Sequence, residues 1–169
     1  MTNRELSNEI RKTLKEAGFT SKDYSIRVRD AGYSTTVNIE VKNPMVRLSV
    51  LKQVAKQFEV VDRDERSGEI LQGGNTFVHC QYEDDIFDEV IQPFMETAKQ
   101  VFESSKWDGC KIAKNESFKV FMSKIDEATK SLHMYDKADK LQEGRCIVKN
   151  PESLALAMWR FKNIGTIFA

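Results

Sequence analysis

The sequence predicts an α+β protein, with an antiparallel sheet that carries helices on one side and a smaller α/β extension at the C-terminus. Three observations predict this class. Apolar residues recur at helical spacing in residues 3–17, they alternate with polar residues between Tyr24 and Val41, and a second helical pattern covers residues 84–104. The predicted element order before the extension is α-β-β-α-β-β-α.

The first helix has the clearest boundary signals. Leu6, Ile10 and Leu14 lie on one stripe of a helix. Thr2 stands three residues before Glu5, the spacing of a capping box that satisfies the first free N–H groups of a helix. We therefore expect this helix to begin directly after Thr2.

Period-two alternation predicts a hairpin after this helix, because successive side chains of a strand point to opposite faces. In this pattern Tyr33 belongs to the apolar set of its second strand, together with Val37 and Ile39. The predicted elements of this part are strands at 24–29 and 33–42, a helix that begins at Asn43-Pro44, a short strand at 60–65 and a strand at 76–82.

The pattern weakens between Lys106 and Gly109, so we predict two domains, residues 1–105 and 106–169. The second domain has less regular signals. Its predicted elements are a strand or helix start at 117–122, a helix at 125–142, a strand at 145–149 and a helix from Asn150-Pro151 to Gly165.

Composition favours a cytoplasmic globular protein. The chain has 169 residues, 40% hydrophobic and 31% charged, and no apolar run reaches the roughly 20 residues that span a bilayer. The polar N-terminus does not resemble a signal peptide, and three widely spaced cysteines do not suggest disulfides. We expect no membrane association.

Charge is balanced over the chain but not along it. Residues 59–89 hold ten acidic and two basic side chains, a net charge of −8, between two basic flanks. A strong non-specific DNA binder would be far more basic, and a DNA mimic would be far more acidic along its whole length.

Three strings carry a resemblance to a known family: ELSNEIRKTLKEAGF, YSIRVRDAGYSTTVNIEVKNP and, the most specific, RDERSGEILQGGNTFVHCQYE. From Glu5 to about Phe102 the chain resembles the large polyvalent protein-associated domains of phages and conjugative elements. The resemblance implies an α+β domain on a mobile genetic element, with no known reaction. By analogy it implies an anti-defence role, such as inhibition of a CRISPR nuclease or a restriction enzyme.

The polar face of the predicted sheet is the first candidate binding site. Arg27 and Arg29 share one strand face, and a phosphate backbone or an acidic protein patch would suit them. The alternative is a solvated sheet face with cross-strand ion pairs. The further residues of this candidate are Asn38, Glu40, Lys42 and His79.

A charged loop is the second candidate. Its binding residues are predicted to be Asp62, Arg63, Asp64, Glu65, Arg66 and, after two glycines, Asn75. Loops carry recognition disproportionately often, and the acidic excess here would suit a basic groove. The alternative is an exposed hairpin loop whose charges keep it solvated.

Trp159 is the third candidate. It lies beside Arg160 and Lys162, a mixture of aromatic and basic residues that can stack on bases or mark a protein interface. The stripe formed by Leu154, Met158 and Phe161 is predicted to be a packing surface, with Trp159 off it.

Catalytic and metal sites have little support in the sequence. A two-metal nuclease needs converging carboxylates, and the local spacing matches no known motif. His79 and Cys80 are adjacent, so they point to opposite faces of a strand. We predict no enzyme, no cofactor and no metal. The carboxylates that keep a metal site open as an alternative are Asp62, Asp64, Glu65, Asp84, Asp85 and Asp88.

These observations predict a non-catalytic binding protein of a mobile genetic element that inhibits a host nucleic-acid enzyme, with a nuclease as the expected partner. One alternative is a nucleic-acid-binding module that uses Lys12, Lys15, Arg27 and Arg29 as phosphate contacts. The other alternative is a metal-dependent nuclease that uses the acidic residues in the middle of the chain.

Overall fold

The computed structural model describes residues 2–104, 110–126, 128–142 and 144–168. It confirms the α+β class. The chain divides into two units, Met1–Ile86 and Phe87–Ala169. The boundary therefore lies about 20 residues before the predicted one at 105/106, because the helix after Ile86 packs with the last helix of the chain and shares its core.

The first unit is a mixed three-stranded sheet with helices on one face. Its elements are α1 (Asn3–Glu16), β1 (Tyr24–Ala31), β2 (Ser34–Val41), α2 (Leu48–Ala55), a single 3-10 turn (Lys56–Phe58) and β3 (Thr76–Tyr82). The strand order is β1-β2-β3. Residues that alternate along the three strands pack with both helices in one core, which includes Ile10, Leu14, Ile26, Ile39 and Leu51.

Two boundary predictions for this unit differ in outcome. The capping box is present, since Thr2 Oγ1 accepts from the Glu5 N–H at 3.2 Å and Glu5 Oε2 accepts from the Thr2 N–H at 2.8 Å. The second helix begins at Leu48 rather than after Asn43. The Asn43 side chain accepts from the Met45 N–H at 3.0 Å, so it closes a turn instead of capping the helix.

The sheet is not wholly antiparallel. β1 and β2 form the predicted hairpin, but β3 runs parallel to β2 because the chain crosses over through α2 between them. The strand predicted at 60–65 is absent from the described structure. In its place there are isolated bridges from Val60 to Thr76 and from Arg63 to Ile70.

The second unit is a four-stranded antiparallel sheet with two helices. Its elements are α3 (Asp88–Glu103), β4 (Cys110–Lys114), β5 (Phe118–Lys124), β6 (Lys130–Asp136), β7 (Cys146–Val148) and α4 (Pro151–Ile164), and its strand order is β4-β5-β6-β7. The core contains Val120 and Met122 of β5, Leu132 and Met134 of β6, and the buried face of α4.

The helix predicted at 125–142 is wrong. Leu132 and Met134 are buried, whereas His133 and Tyr135 between and after them lie on the opposite face, which is the alternation of a strand. The segment pairs with β5 over its whole length. Residues 117–122, predicted as either a strand or the start of a helix, lie in a strand. The predicted strand at 145–149 and the predicted helix after Asn150 are confirmed.

Within the described residues, no helix combines the length and the apolar character needed to cross a membrane.

The cap of α4 gives a direct stability test. Asn150 Oδ1 accepts from the Ser153 N–H at 2.8 Å, so Asn150→Ala leaves this N–H unpaired and should lower the free energy of unfolding by about 1 kcal/mol. Urea denaturation followed by tryptophan fluorescence measures this, because Trp159 of α4 is buried in the core of the second unit. Gln100→Ala, at an exposed position of α3, is the control and should change stability little. An unchanged midpoint for Asn150→Ala would contradict the capping role.

Candidate protein-binding surface

The segment between Val60 and Thr76 is a loop that folds back on itself as an irregular hairpin. Val60 and Thr76 exchange both backbone hydrogen bonds, with N···O distances of 3.0 and 2.7 Å. Further along, the Leu71 N–H donates to the Asp62 carbonyl at 2.9 Å. The loop backbone is therefore paired with itself, which gives it a defined shape.

Asp64 shapes the turn at the end of this loop. Its Oδ1 accepts from the N–H groups of Arg66 at 3.0 Å and Ser67 at 2.7 Å, and from the Ser67 hydroxyl at 3.1 Å. These donors, the Ser67 N–H first, hold the pKa of the Asp64 carboxyl below its usual value. Gly68 completes the turn with a φ of +71°, which a residue with a Cβ rarely adopts.

Asn75 ties the loop to the sheet. Its Oδ1 accepts from the Asp62 N–H at 2.8 Å, its Nδ2 donates to the Leu71 carbonyl at 2.7 Å, and its own carbonyl accepts from the Thr35 N–H at 2.8 Å. The residue is only 3% exposed. The prediction that Asn75 contacts a partner is therefore wrong, because its amide is buried and bonded within the loop.

Apolar side chains are exposed where the loop meets the β1–β2 turn. Tyr33 is 83% exposed, Ile70 46% and Leu71 42%. The Gly74 N–H donates to the Tyr33 carbonyl at 2.9 Å and joins the two segments. A groove of about 310 Å³ lies between them. We call Tyr33, Ile70, Leu71 and this groove the tip surface; clustered exposed apolar residues are typical of protein interaction sites.

Charged residues border the tip surface. Residues 59–69 hold five acidic and two basic side chains, a net charge of −3. Asp62, Arg63, Glu65 and Arg66 are exposed, and the Arg63 guanidinium also donates to the Gly68 carbonyl at 3.1 Å and so supports the turn. Contact of Asp62, Glu65 and Arg66 with a partner therefore stays a prediction, since all three side chains are exposed.

The sequence pattern does not indicate the apolar part of the tip surface. Tyr33 fitted the alternation of β2, but the strand begins at Ser34 and Tyr33 lies in the turn before it. The sequence signal for this surface is the presence of two apolar residues, Ile70 and Leu71, in a loop between a charged run and two glycines.

The open face of the first sheet brings together the other predicted group. Register places Arg27, Asn38 and His79 in one row across the three strands, and Arg29 in the next row, opposite Thr36. Arg27 lies 3.9 Å from Glu40, a long ion pair between an exposed and a half-buried side chain that contributes little to stability. The structure therefore supports the cross-strand interpretation for Arg27, while Arg29 and His79 are exposed. Lys42 lies beyond the end of β2.

Trp159 is buried. It is 6% exposed, belongs to the core of the second unit and makes an edge-to-face contact with Phe87 at 5.8 Å between ring centroids. The prediction was wrong because α4 is buried on more than one side, so a position off the predicted stripe is also covered.

Metal and thiol chemistry find no support in the part of the chain that the structure describes. No three His, Cys, Asp or Glu side chains there are placed to hold a metal ion. His79 and Cys80 point to opposite faces of β3, with His79 exposed and Cys80 packed against the core. Burial raises the pKa of Cys80 to about 11 and also raises that of Cys146, so both thiols are protonated at neutral pH.

Comparison with family models, with curated proteins and with solved structures finds no match to this chain. The resemblance of residues 5–102 to polyvalent-associated domains therefore remains a hypothesis that depends on the three strings that carry it.

Loss of the Asn75 amide should open the loop. Asn75→Ala removes two part-buried hydrogen bonds, those to the Asp62 N–H and the Leu71 carbonyl, each of which contributes about 1 kcal/mol. Hydrogen exchange at the Asp62 amide should accelerate, as measured by NMR or mass spectrometry. Gln72→Ala, at an exposed position of the same loop, is the control. Equal exchange in both variants would show that Asn75 does not hold the loop.

The turn at Asp64 should depend on pH. Because the folded pKa of this carboxyl is lowered, its stabilising effect is present above the unfolded pKa of about 3.9 and is lost as pH falls through the folded pKa. An NMR titration of the carboxyl should give a midpoint below 3.9, and protection of the Arg66 and Ser67 amides should fall with it. A midpoint at or above the unfolded value would contradict the capping role.

Proposed function

We propose that this chain is a non-catalytic binding protein that inhibits or modulates a host nucleic-acid enzyme, with the tip surface as its contact. The observation that carries the proposal is the exposure of Tyr33, at 83%, together with Ile70 and Leu71 on a loop whose backbone is internally bonded. Large apolar side chains at such exposure are stabilised by a partner that covers them.

The order of the loop favours tight binding. A loop held by Asn75 and Asp64 before binding has little conformational entropy left to lose when a partner docks. Tyrosine is enriched among the few residues that dominate the energy of protein interfaces. Tyr33 is therefore the expected anchor, and the groove beside it would receive a side chain of the partner.

The charge of the border selects the kind of partner. An enzyme that holds nucleic acid lines its groove with cations, because it must neutralise phosphates. The net charge of −3 over residues 59–69 is complementary to such a groove. Occupation of the groove by the loop would exclude nucleic acid sterically and electrostatically, with no turnover.

We also propose that the protein is encoded on a mobile genetic element. A mobile genetic element would use such a protein against host defence enzymes, and this part rests on the resemblance of residues 5–102 alone. Cas nucleases and restriction enzymes are for that reason the first partners to examine.

The test combines binding and cleavage. The pure full-length protein is mixed with a panel of Cas nucleases and restriction enzymes, and complex formation and loss of DNA cleavage are measured. For a partner found in this way, Tyr33→Ala should weaken binding by about 30-fold, the effect of losing an interface anchor worth about 2 kcal/mol. Met45→Ala removes another exposed apolar side chain of the same unit, 48% exposed, and should leave affinity within about twofold.

The acidic border is tested separately. Glu65→Lys should slow association and reduce its salt dependence, because long-range attraction to a basic groove sets the on-rate. Stopped-flow measurement at several salt concentrations shows this, and Glu9→Lys on α1 is the matched charge reversal. Absence of any complex and of any inhibition across the panel would contradict the proposal. Equal affinities of the Tyr33→Ala and Met45→Ala variants for the partner would contradict it as well.

A further inference from the structure

The second sheet also has an open face, and it differs in chemistry from the first. On β5 and β6 the residues between the core positions point away from the helices. Together with the turn after β6 they line a cavity of about 280 Å³. The lining residues are Phe121, Ser123, His133, Tyr135 and Asp139. Three aromatic rings therefore surround a surface cavity on a rigid sheet.

The two largest of these three rings are in contact with each other. Phe121 and Tyr135 make an edge-to-face contact, with centroids 5.5 Å apart and planes at 88°. Both are half-buried, so each has part of its surface open to the cavity. Register places His133 directly beside Phe121 on the neighbouring strand. Aromatic side chains held on adjacent strands form a platform that needs no rearrangement to receive a flat ring.

Cations border this platform. Lys111 lies beside Phe121 in the register of β4 and β5. Lys119 lies beside Tyr135 and contacts Asp139 at 3.0 Å. Arg145 and Lys149 stand two residues on either side of the exposed Ile147 of β7, and both are exposed.

Several carboxylates of the same region are used to shape its turns. Asp126 Oδ1 accepts from the N–H groups of Ala128 and Thr129 at 2.8 and 2.7 Å. Asp136 Oδ1 accepts from those of Ala138 and Lys140, both at 2.9 Å. Over residues 110–149 there are nine basic and six acidic side chains, a net charge of +3. An anionic ligand fits this balance.

A buried hydroxyl lies next to the cavity. Ser131 is the register neighbour of Ser123, which lines the cavity, and it is 3% exposed. Its Oγ has no hydrogen-bond partner within the described structure. An unpaired buried hydroxyl costs free energy, so a water molecule or a polar atom of a ligand is expected there.

We propose that the open face of the second sheet binds single-stranded nucleic acid. Bases would stack in the cavity on Phe121 and Tyr135, and the phosphates would lie against Lys111, Arg145 and Lys149. A duplex does not fit this chemistry, because its bases are stacked on one another and their faces are not available to aromatic side chains. This inference is independent of the proposed function, since it concerns another unit, another surface and another class of ligand.

The stacking is tested on the full-length protein by fluorescence anisotropy. Labelled dT and rU strands of about 12 nucleotides, and a DNA duplex of the same length, are titrated at about 50 mM salt. Tyr135→Leu and Phe121→Leu should each weaken binding of a single strand about fivefold or more, because one stacked base contributes at least about 1 kcal/mol. Phe118→Leu is the matched control, since Phe118 is a half-buried aromatic of the same strand as Phe121 that packs against the core.

The phosphate contacts are tested through salt dependence. Arg145→Gln and Lys149→Gln should each make the slope of log K against log salt shallower by about 0.7, the value for one phosphate on a single strand. Lys99→Gln, an exposed cation on α3 of the same unit, should leave the slope unchanged. Circular dichroism checks that each variant is folded, and if an aromatic variant is not, the two charge variants decide.

Binding of either dT or rU with these effects supports the proposal and identifies the sugar that is preferred. Three results would overturn it: no saturable binding of either strand at low salt, binding of the duplex as tight as that of the single strand, or equal losses for Phe118→Leu and Tyr135→Leu. None of these outcomes depends on whether Tyr33 anchors a protein partner, so the failure of one proposal leaves the other intact.

Discussion

The buried amide of Asn75 is the interaction on which the binding surface of the first unit depends. It bonds both sides of the loop at once, through the Asp62 N–H and the Leu71 carbonyl, while its backbone accepts from β2. A loop with three glycines at positive φ would otherwise have many conformations. Because the amide is buried, these bonds do not compete with water, and the loop keeps Ile70 and Leu71 exposed beside Tyr33.

Each unit follows the same physical rule with a different result. A sheet packed with helices on one face leaves the other face open, and the residues of the open face are then available for function. In the first unit that face is polar, with Arg27 close to Glu40. In the second unit it carries Phe121, His133 and Tyr135 around a cavity. The two surfaces suit ligands of different chemistry.

Elements with local signals were predictable from the sequence, and elements defined by long-range pairing were not. The capping box at Thr2 and the Asn150-Pro151 start of α4 depend on residues within three or four positions of each other. β6 was mistaken for a helix because a short apolar segment fits both periods, and only its pairing with β5 distinguishes them. The direction of β3 likewise depends on a crossover that no local pattern encodes.

The sequence by itself determined the α+β class, the hairpin, the ends of the first and last helices and the charged character of the loop, because local periodicity and charge suffice for these. The tertiary structure decided the side-chain roles at the candidate sites. It buried Asn75 and Trp159, exposed Tyr33, and placed Phe121 beside Tyr135. Burial and proximity result from contacts between residues that are distant in sequence, so local sequence patterns do not predict them.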